Sequence, residues 1–126
     1  MYKRQTYARF RDEMLAEIAA AGVAVQLYVS GHEHNLQVLE MPPPAPALHV
    51  ISGGGSGGRS LRDANPRRLA GFDSAGYARI DLAGAGERER LVVTLMRVDT
   101  GILNALRTSR FAARFSVDRA GRVREE

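Results

Sequence analysis

The chain has 126 residues, of which 44% are hydrophobic and 25% charged, and its formal net charge is +4. These values are ordinary for a globular protein with a modest core. Cysteine is absent, which excludes a disulfide framework and a thiolate metal site. All basic residues except Lys3 are arginines scattered along the chain, so we expect no nucleic-acid partner. No apolar run reaches transmembrane length and no signal peptide is visible, so the sequence predicts no membrane segment and leaves the compartment unknown.

The first part of the chain is predicted to be an amphipathic helix, Tyr7 to Ala20, followed by a strand, Ala24 to Val29. Apolar side chains recur along one face of this helix: Tyr7, Phe10, Met14, Leu15 and Ile18. Gly22 is the expected C-terminal stop. The β-branched run after it is short enough to be a buried strand, which makes an α-then-β unit.

Two of the three histidines follow this strand, separated by one residue. Gly31 is predicted to supply the tight turn or positive φ that leaves the strand, and His32 and His34 come next. Side chains at i and i+2 diverge on a helix, so this pair reaches one centre only from a loop or strand end. Neutral imidazole is the commonest transition-metal ligand. From the residues alone, a metal site and a turn with two solvated histidines both remain open.

The sequence contains other possible metal ligands besides this pair. Glu33 points away from its neighbours in an extended segment, so we do not expect it to be a third ligand. Asn35 and His49 are possible reserve ligands. His49 begins an apolar strand, which favours a structural histidine.

Two connections flank the predicted strand Leu48 to Ser52. Residues 41–47 are rich in proline, which favours a stiff hairpin connection over a ligand for a proline-recognising domain. Residues 53–75 are predicted to be a Gly/Arg-rich loop. Gly53, Gly58 and Ser60 fit the spacing of a phosphate-binding loop, but Arg59 replaces its lysine and the following helix is poor. A flexible glycine loop is the favoured interpretation.

The second half of the chain is predicted to be mainly antiparallel. Gly76 to Leu82 and Arg90 to Val98 form an expected strand pair, joined by a glycine-containing turn. Asp99 to Ser109 is either a short helix or an irregular crossing, and Phe111 to Val117 alternates as a further strand. Residues 119–126 are expected to turn into a polar, frayed tail.

The stretch from Ser30 to Gln37 resembles the calcineurin-like metallophosphoesterases, most closely their purple-acid-phosphatase-like branch. That family ends its metal-binding motifs with Gly-His-x-His, which Gly31, His32 and His34 match here. In the family, a strand running into a small-residue loop follows, as at Val50 to Gly57. The resemblance covers roughly Tyr7 to Leu61, and beyond that only a loose strand pattern.

The resemblance implies an α/β fold: a partial metallophosphoesterase-type β-sandwich flanked by a helix, with a mixed sheet and mainly antiparallel later strands. It implies metal-dependent hydrolysis of a small-molecule phosphoester by two transition-metal ions, such as Fe, Mn or Zn. A carboxylate and a hydroxide bridge these ions, and His32 and His34 each bind one of them. Gly31, Asn35, Gly53, Gly54 and Gly55 would shape the site.

One departure from the family limits what the chain can do alone. The family's earlier motifs are Asp-x-His, Gly-Asp with a second Asp, Gly-Asn-His and a lone His, and none precedes His32. We therefore expect residues 1–126 to be a single segment, the C-terminal part of such a domain, with weak or no metal binding and no activity alone. An exposed apolar face should pair with itself or with an upstream half. The alternatives are a non-catalytic truncated or interaction module and a nucleotide-binding protein.

Overall fold

A computed structural model of the chain describes residues 2–61, 64–100 and 107–126, with side chains at all of these except residues 2–7, 100 and 107. The elements in chain order are helix α1 (Tyr2–Ala21) and strands β1 (Leu27–Ser30), β2 (Leu36–Glu40), β3 (Leu48–Ser52), β4 (Arg68–Phe72), β5 (Gly76–Ala83), β6 (Arg90–Thr100), β7 (Arg107–Asp118) and β8 (Val123–Glu125).

The strands form two sheets of four, and their order confirms the mixed α/β prediction. In the first sheet the order is β1-β3-β2-β4, with β1 parallel to β3 and the other pairs antiparallel. The second sheet has the order β5-β6-β7-β8 and is antiparallel throughout. β1 starts at Leu27 rather than Ala24 because its partner β3 starts only at Leu48, after the prolines.

The hydrophobic core lies between the sheets. The first sheet contributes Leu36 and Val38 from β2 and Leu48 and Val50 from β3. The second sheet contributes the fully buried side chains of β6 and β7: Val93, Leu95, Phe115 and Val117. Strand alternation sends the intervening side chains to the outer faces, so each sheet is apolar on the side that faces the other.

Helix α1 begins earlier than predicted and packs on the first sheet through part of its apolar stripe. Met14 and Leu15 line a small cavity with Tyr28 and His49, on the outer face of this sheet. Phe10, in the same stripe, is 62% exposed because no described residue covers it. Gly22, with φ 63°, ends the helix as expected. Among the described residues, no helix has the length and apolarity to cross a membrane.

Four segments can be compared with the sequence predictions. The predicted loop 53–75 contains β4, which forms because its short Leu-Ala-Gly-Phe run pairs with β2. The predicted frayed tail 119–126 contains β8, which pairs with β7. Residues 41–47 join β2 to β3 as a hairpin connection, as expected. Of the ambiguous stretch Asp99 to Ser109, both ends extend β6 and β7, and residues 101–106 lie outside the described residues.

Candidate functional site

The two candidate histidines lie in the connection from β1 to β2. These strands are not neighbours, because β3 lies between them. The short connection from Gly31 to Asn35 therefore passes over the carboxyl end of β3. Ligand sites in sheets with parallel strands are commonly found at this end. The topology thus brings the histidine loop next to the glycine loop that begins directly after β3.

Successive tight turns shape the histidine loop. The Glu33 N–H donates to the Gly31 carbonyl at 2.9 Å, and the Asn35 N–H donates to the Glu33 carbonyl at 2.8 Å. Each bond closes a three-residue γ-turn, the first centred on His32 and the second on His34. Both candidate ligands therefore occupy the central position of a tight turn.

The positive φ in this loop belongs to a histidine and not to the glycine. His32 has φ 71°, and it is the one non-glycine residue with positive φ in the described part of the chain. Of the two predicted roles of Gly31, the structure shows the tight turn, in which its carbonyl accepts the hydrogen bond, while the positive φ lies one residue later. A γ-turn with a positive central φ is the rarer and more strained form. Strain of this kind costs about 1–2 kcal/mol and occurs preferentially at functional sites.

Gly53 is required because the histidine loop crosses directly above it. A Cβ atom added to Gly53 would lie 1.6 Å from the Glu33 carbonyl oxygen, closer than any nonbonded contact allows. At Gly54 the added atom would meet backbone atoms of Ser74 and Gly76 at 3.0 Å. At Gly31 and Gly55 it would meet nothing within 4 Å. Of the glycines predicted to shape the site, Gly53 and Gly54 therefore have a steric reason.

Hydrogen bonds join the histidine loop to the glycine loop. The Gly53 N–H donates to the Asn35 carbonyl at 3.0 Å, and the Arg59 N–H donates to the His34 carbonyl. The hydroxyl of Ser56 lies 3.3 Å from Nδ1 of His34. With Nδ1 protonated, His34 donates to Ser56 and keeps the lone pair of Nε2 available for a metal ion. His34 is half-buried, and His32 is exposed.

The donors present fit part of a metal centre. Two neutral imidazoles suit Zn or Fe, but a catalytic zinc site has three protein ligands, and the two-metal site that the resemblance implies has a bridging carboxylate. Within residues 2–61, 64–100 and 107–126, no group of three or more His, Cys, Asp or Glu side chains could hold a metal ion. The described residues therefore do not complete either kind of site, and no reaction step follows from them alone.

Glu33 and Asn35 face a cavity of about 520 Å³ on the outer side of the first sheet. Its lining includes neither His32 nor His34. The Arg68 side chain donates to the Gln37 Oε1 at 2.8 Å, and Gln37 donates in turn to the Asn35 Oδ1 at 2.9 Å. The sequence prediction includes neither Gln37 nor Arg68. Gln37 could have been found as the polar residue within the apolar stretch Leu36 to Leu39. From the sequence we also predict that His32 and His34 reach one shared cavity beside residues 53–58, and this stays a prediction.

His49 lies one strand away, and its contacts support the structural interpretation. Its Nε2 lies 2.8 Å from the Ser30 hydroxyl, and its ring packs against Tyr28 with centroids 4.9 Å apart. Burial lowers the pKa of His49, because desolvation disfavours the charged imidazolium.

The glycine loop lacks the structure of a nucleotide-binding loop. Gly54 to Ser56 form a single 3₁₀ turn, and β4 is the next helix or strand in the described residues. A phosphate-binding loop places its phosphates at the N-terminus of a following α-helix. The nucleotide-binding alternative therefore has no structural support here.

Comparisons with family models, with curated proteins and with solved structures each give no significant match.

Proposed function

We propose that this chain is part of a dinuclear-metal phosphoesterase and supplies two of its histidine ligands, His32 and His34. The observation that carries the proposal is the passage of the Gly-His-x-His loop across the end of β3, where it is hydrogen-bonded to the glycine loop. A turn of solvated histidines would need neither the strained φ of His32 nor the contact that requires Gly53.

The chain's own residues hold the two imidazoles in place. The γ-turns set the direction in which each histidine leaves the backbone, and Ser56 orients the ring of His34. When bound, paired metal ions lower the pKa of an attacking water and stabilise the charge on the phosphoryl oxygens. The carboxylates that bridge such ions would come from a part of the enzyme with the family's earlier motifs.

An open edge of the core supports the view that the domain is larger than this chain. Ile80 and Leu82 pair with inward-facing residues of β6 and share their side of the sheet, yet they are 40% and 68% exposed. Val29, on the inward side of β1, is 46% exposed. β1 is also a parallel strand at a sheet edge, whereas parallel strands are usually covered on both sides. Further β-structure would cover these residues.

A metal titration followed by NMR tests the ligand assignment. On addition of Zn²⁺, the imidazole nitrogen signals of both His32 and His34 should shift weakly, while those of His49 stay in place. Because each imidazole is assigned to a different ion, H32A and H34A should each remove the response of the replaced residue and keep that of the other histidine, and H49A should change neither. Absence of a response at His32 and His34, or stronger binding at His49, would contradict the proposal.

An activity assay tests whether the site is partial. The chain alone should hydrolyse a generic phosphate ester no faster than the H32A/H34A double variant, because the described residues place no bridging carboxylate with the two histidines. We also expect DNA upstream of Met1 to encode the missing Asp, Asn and His motifs in frame. An upstream sequence without them, together with metal-dependent turnover that the double variant loses, would refute the partial-site interpretation.

The open edge also favours a second candidate, a non-catalytic module that pairs through β1 and β5. If this is the function, the chain should dimerise in light-scattering measurements, and the variants I80K and L82K should restore the monomer. The exposed T108K variant on β7 is the matched control. Dimerisation without a response of His32 and His34 to Zn²⁺ would favour this candidate over the phosphoesterase.

A further inference from the structure

The outer face of the first sheet contains a polar cavity that the proposed metal site does not use. Its volume, about 520 Å³, lies within the range of small-molecule sites. Its walls come from three parts of the chain: the histidine loop with Glu33, the strands β2 and β3, and the segment around Asn65 and Arg67. This mixture of sources makes the cavity concave rather than a flat sheet face.

A chain of hydrogen bonds at its floor has a fixed direction. Arg68 can only donate, so the oxygen of the Gln37 amide must face it. The NH₂ group of Gln37 therefore faces Asn35 and donates to its Oδ1. The oxygen of Asn35 is thereby used as an acceptor, and its NH₂ group is the last donor in this series of hydrogen bonds.

This terminal NH₂ group has no partner among the described residues. Asn35 is only 3% exposed, yet no fully enclosed polar side-chain atom in the described part lacks a hydrogen-bond partner. Both facts hold together if the NH₂ group keeps a small exposed area, which we place at the cavity because Asn35 lines it. A donor that opens onto the cavity is hydrated when the cavity is empty, and a ligand oxygen can replace that water as its acceptor.

The surrounding side chains indicate which ligand fits. Arg67 lines the same cavity, and its guanidinium makes no ion pair with any described residue. Its backbone is fixed by the bond from the Arg67 N–H to the Asn65 Oδ1 at 3.0 Å. Ser60 adds a hydroxyl donor, and Glu33 is the one carboxylate among the described lining residues. Donors thus outnumber acceptors, which favours a ligand with several oxygen acceptors.

We infer that this cavity binds a small oxyanion, phosphate or carboxylate, with the Asn35 amide and the Arg67 guanidinium as its donors. The floor is preorganised, because the hydrogen bonds from Arg68 through Gln37 fix the Asn35 amide before any ligand arrives. The site requires no metal ion, and it is separate from the imidazoles of the proposed phosphoesterase site.

NMR titration of the full chain in the presence of EDTA tests this inference. Inorganic phosphate and acetate are added separately at matched ionic strength. The side-chain NH₂ signals of Asn35 should shift saturably with at least one of them, and the anion with higher affinity identifies the class. N35D keeps the acceptor for Gln37 and replaces the donor with a carboxylate oxygen, and R67Q removes the cation. Each should weaken binding by about tenfold or more.

Matched controls separate a specific site from a general charge effect. S109D adds the same charge as N35D on an exposed part of β7, and R79Q removes an arginine from the second sheet. Both should bind the anion like the parent chain. If N35D does not fold, R67Q against R79Q decides the question. Absence of a saturable shift with both anions, or equal binding by R67Q and R79Q, would overturn the inference.

Discussion

The centre of the core and its open edge carry the same sequence pattern but differ in burial. In β6, Val93 and Leu95 alternate with outward residues and are fully buried. In β5, paired directly beside them, Ile80 and Leu82 alternate in the same way and are exposed. Strand alternation thus decides which side of the sheet a residue faces. Cover by the other sheet decides whether the inward side is buried, as at Val93 and Leu95, or exposed, as at Ile80 and Leu82.

The largest effect is expected when a buried and an exposed leucine are each shortened to alanine, which measures the difference in burial directly. L95A removes a fully buried side chain and should lower the free energy of unfolding by about 2–5 kcal/mol, because a cavity remains. L82A, on the exposed edge, should cost less than about 0.5 kcal/mol. Urea unfolding of both variants provides the comparison. Equal decreases in the free energy of unfolding would mean that the edge is covered in solution, for example by self-association.

The two glycine-loop positions offer a second contrast, between crossing backbones and open space. G53A places a methyl group against the Glu33 carbonyl and should lower the free energy of unfolding by about 2–3 kcal/mol. G55A meets nothing within 4 Å and should change the free energy of unfolding by less than about 0.5 kcal/mol. The amide NMR signals of residues 31–35 should move only in G53A. Unchanged signals there would show that the histidine loop does not cross Gly53.

A smaller effect tests the strain at His32. H32G removes the Cβ that makes a positive φ costly, and it should raise the free energy of unfolding by about 0.5–1 kcal/mol. H34G is the matched control. It removes the Ser56 contact at a residue without positive φ, so it should lower the free energy of unfolding by about 0.5–1 kcal/mol. Thermal unfolding measures both, and a loss in H32G would exclude stored strain.

The smallest expected effect is the pH dependence from His49. Burial lowers its pKa in the folded state below the usual value of 6.5, so the unfolded chain binds more protons between these two values. The contribution to stability is therefore complete above pH 6.5 and is lost as the pH falls below it. H49Q should flatten the pH dependence of unfolding in this window. An equal slope in the variant would assign the effect to other groups.

The sequence by itself determined which side chains share one face of a helix or strand, and where the helix ends. The apolar spacing of residues 7–20 predicted the helix, and strand alternation predicted β5 through β7. Gly22 marked the helix end correctly, because a glycine at positive φ is a local property. The Gly-His-x-His run also placed both histidines in a loop after a strand, since that too depends only on neighbouring residues.

The tertiary structure alone decided which segments meet. β4 was missed because it is short and forms by pairing with β2, which is distant in the chain. β8 pairs with the adjacent strand β7 across a tight turn, and it was missed because it is short and polar. The positive φ fell at His32 rather than Gly31, because the connection must cross the end of β3 within a few residues. The need for glycine at position 53 and the hydrogen bonds from Arg68 to Asn35 arise in the same way. They depend on contacts between residues far apart in the chain, which local pattern does not encode.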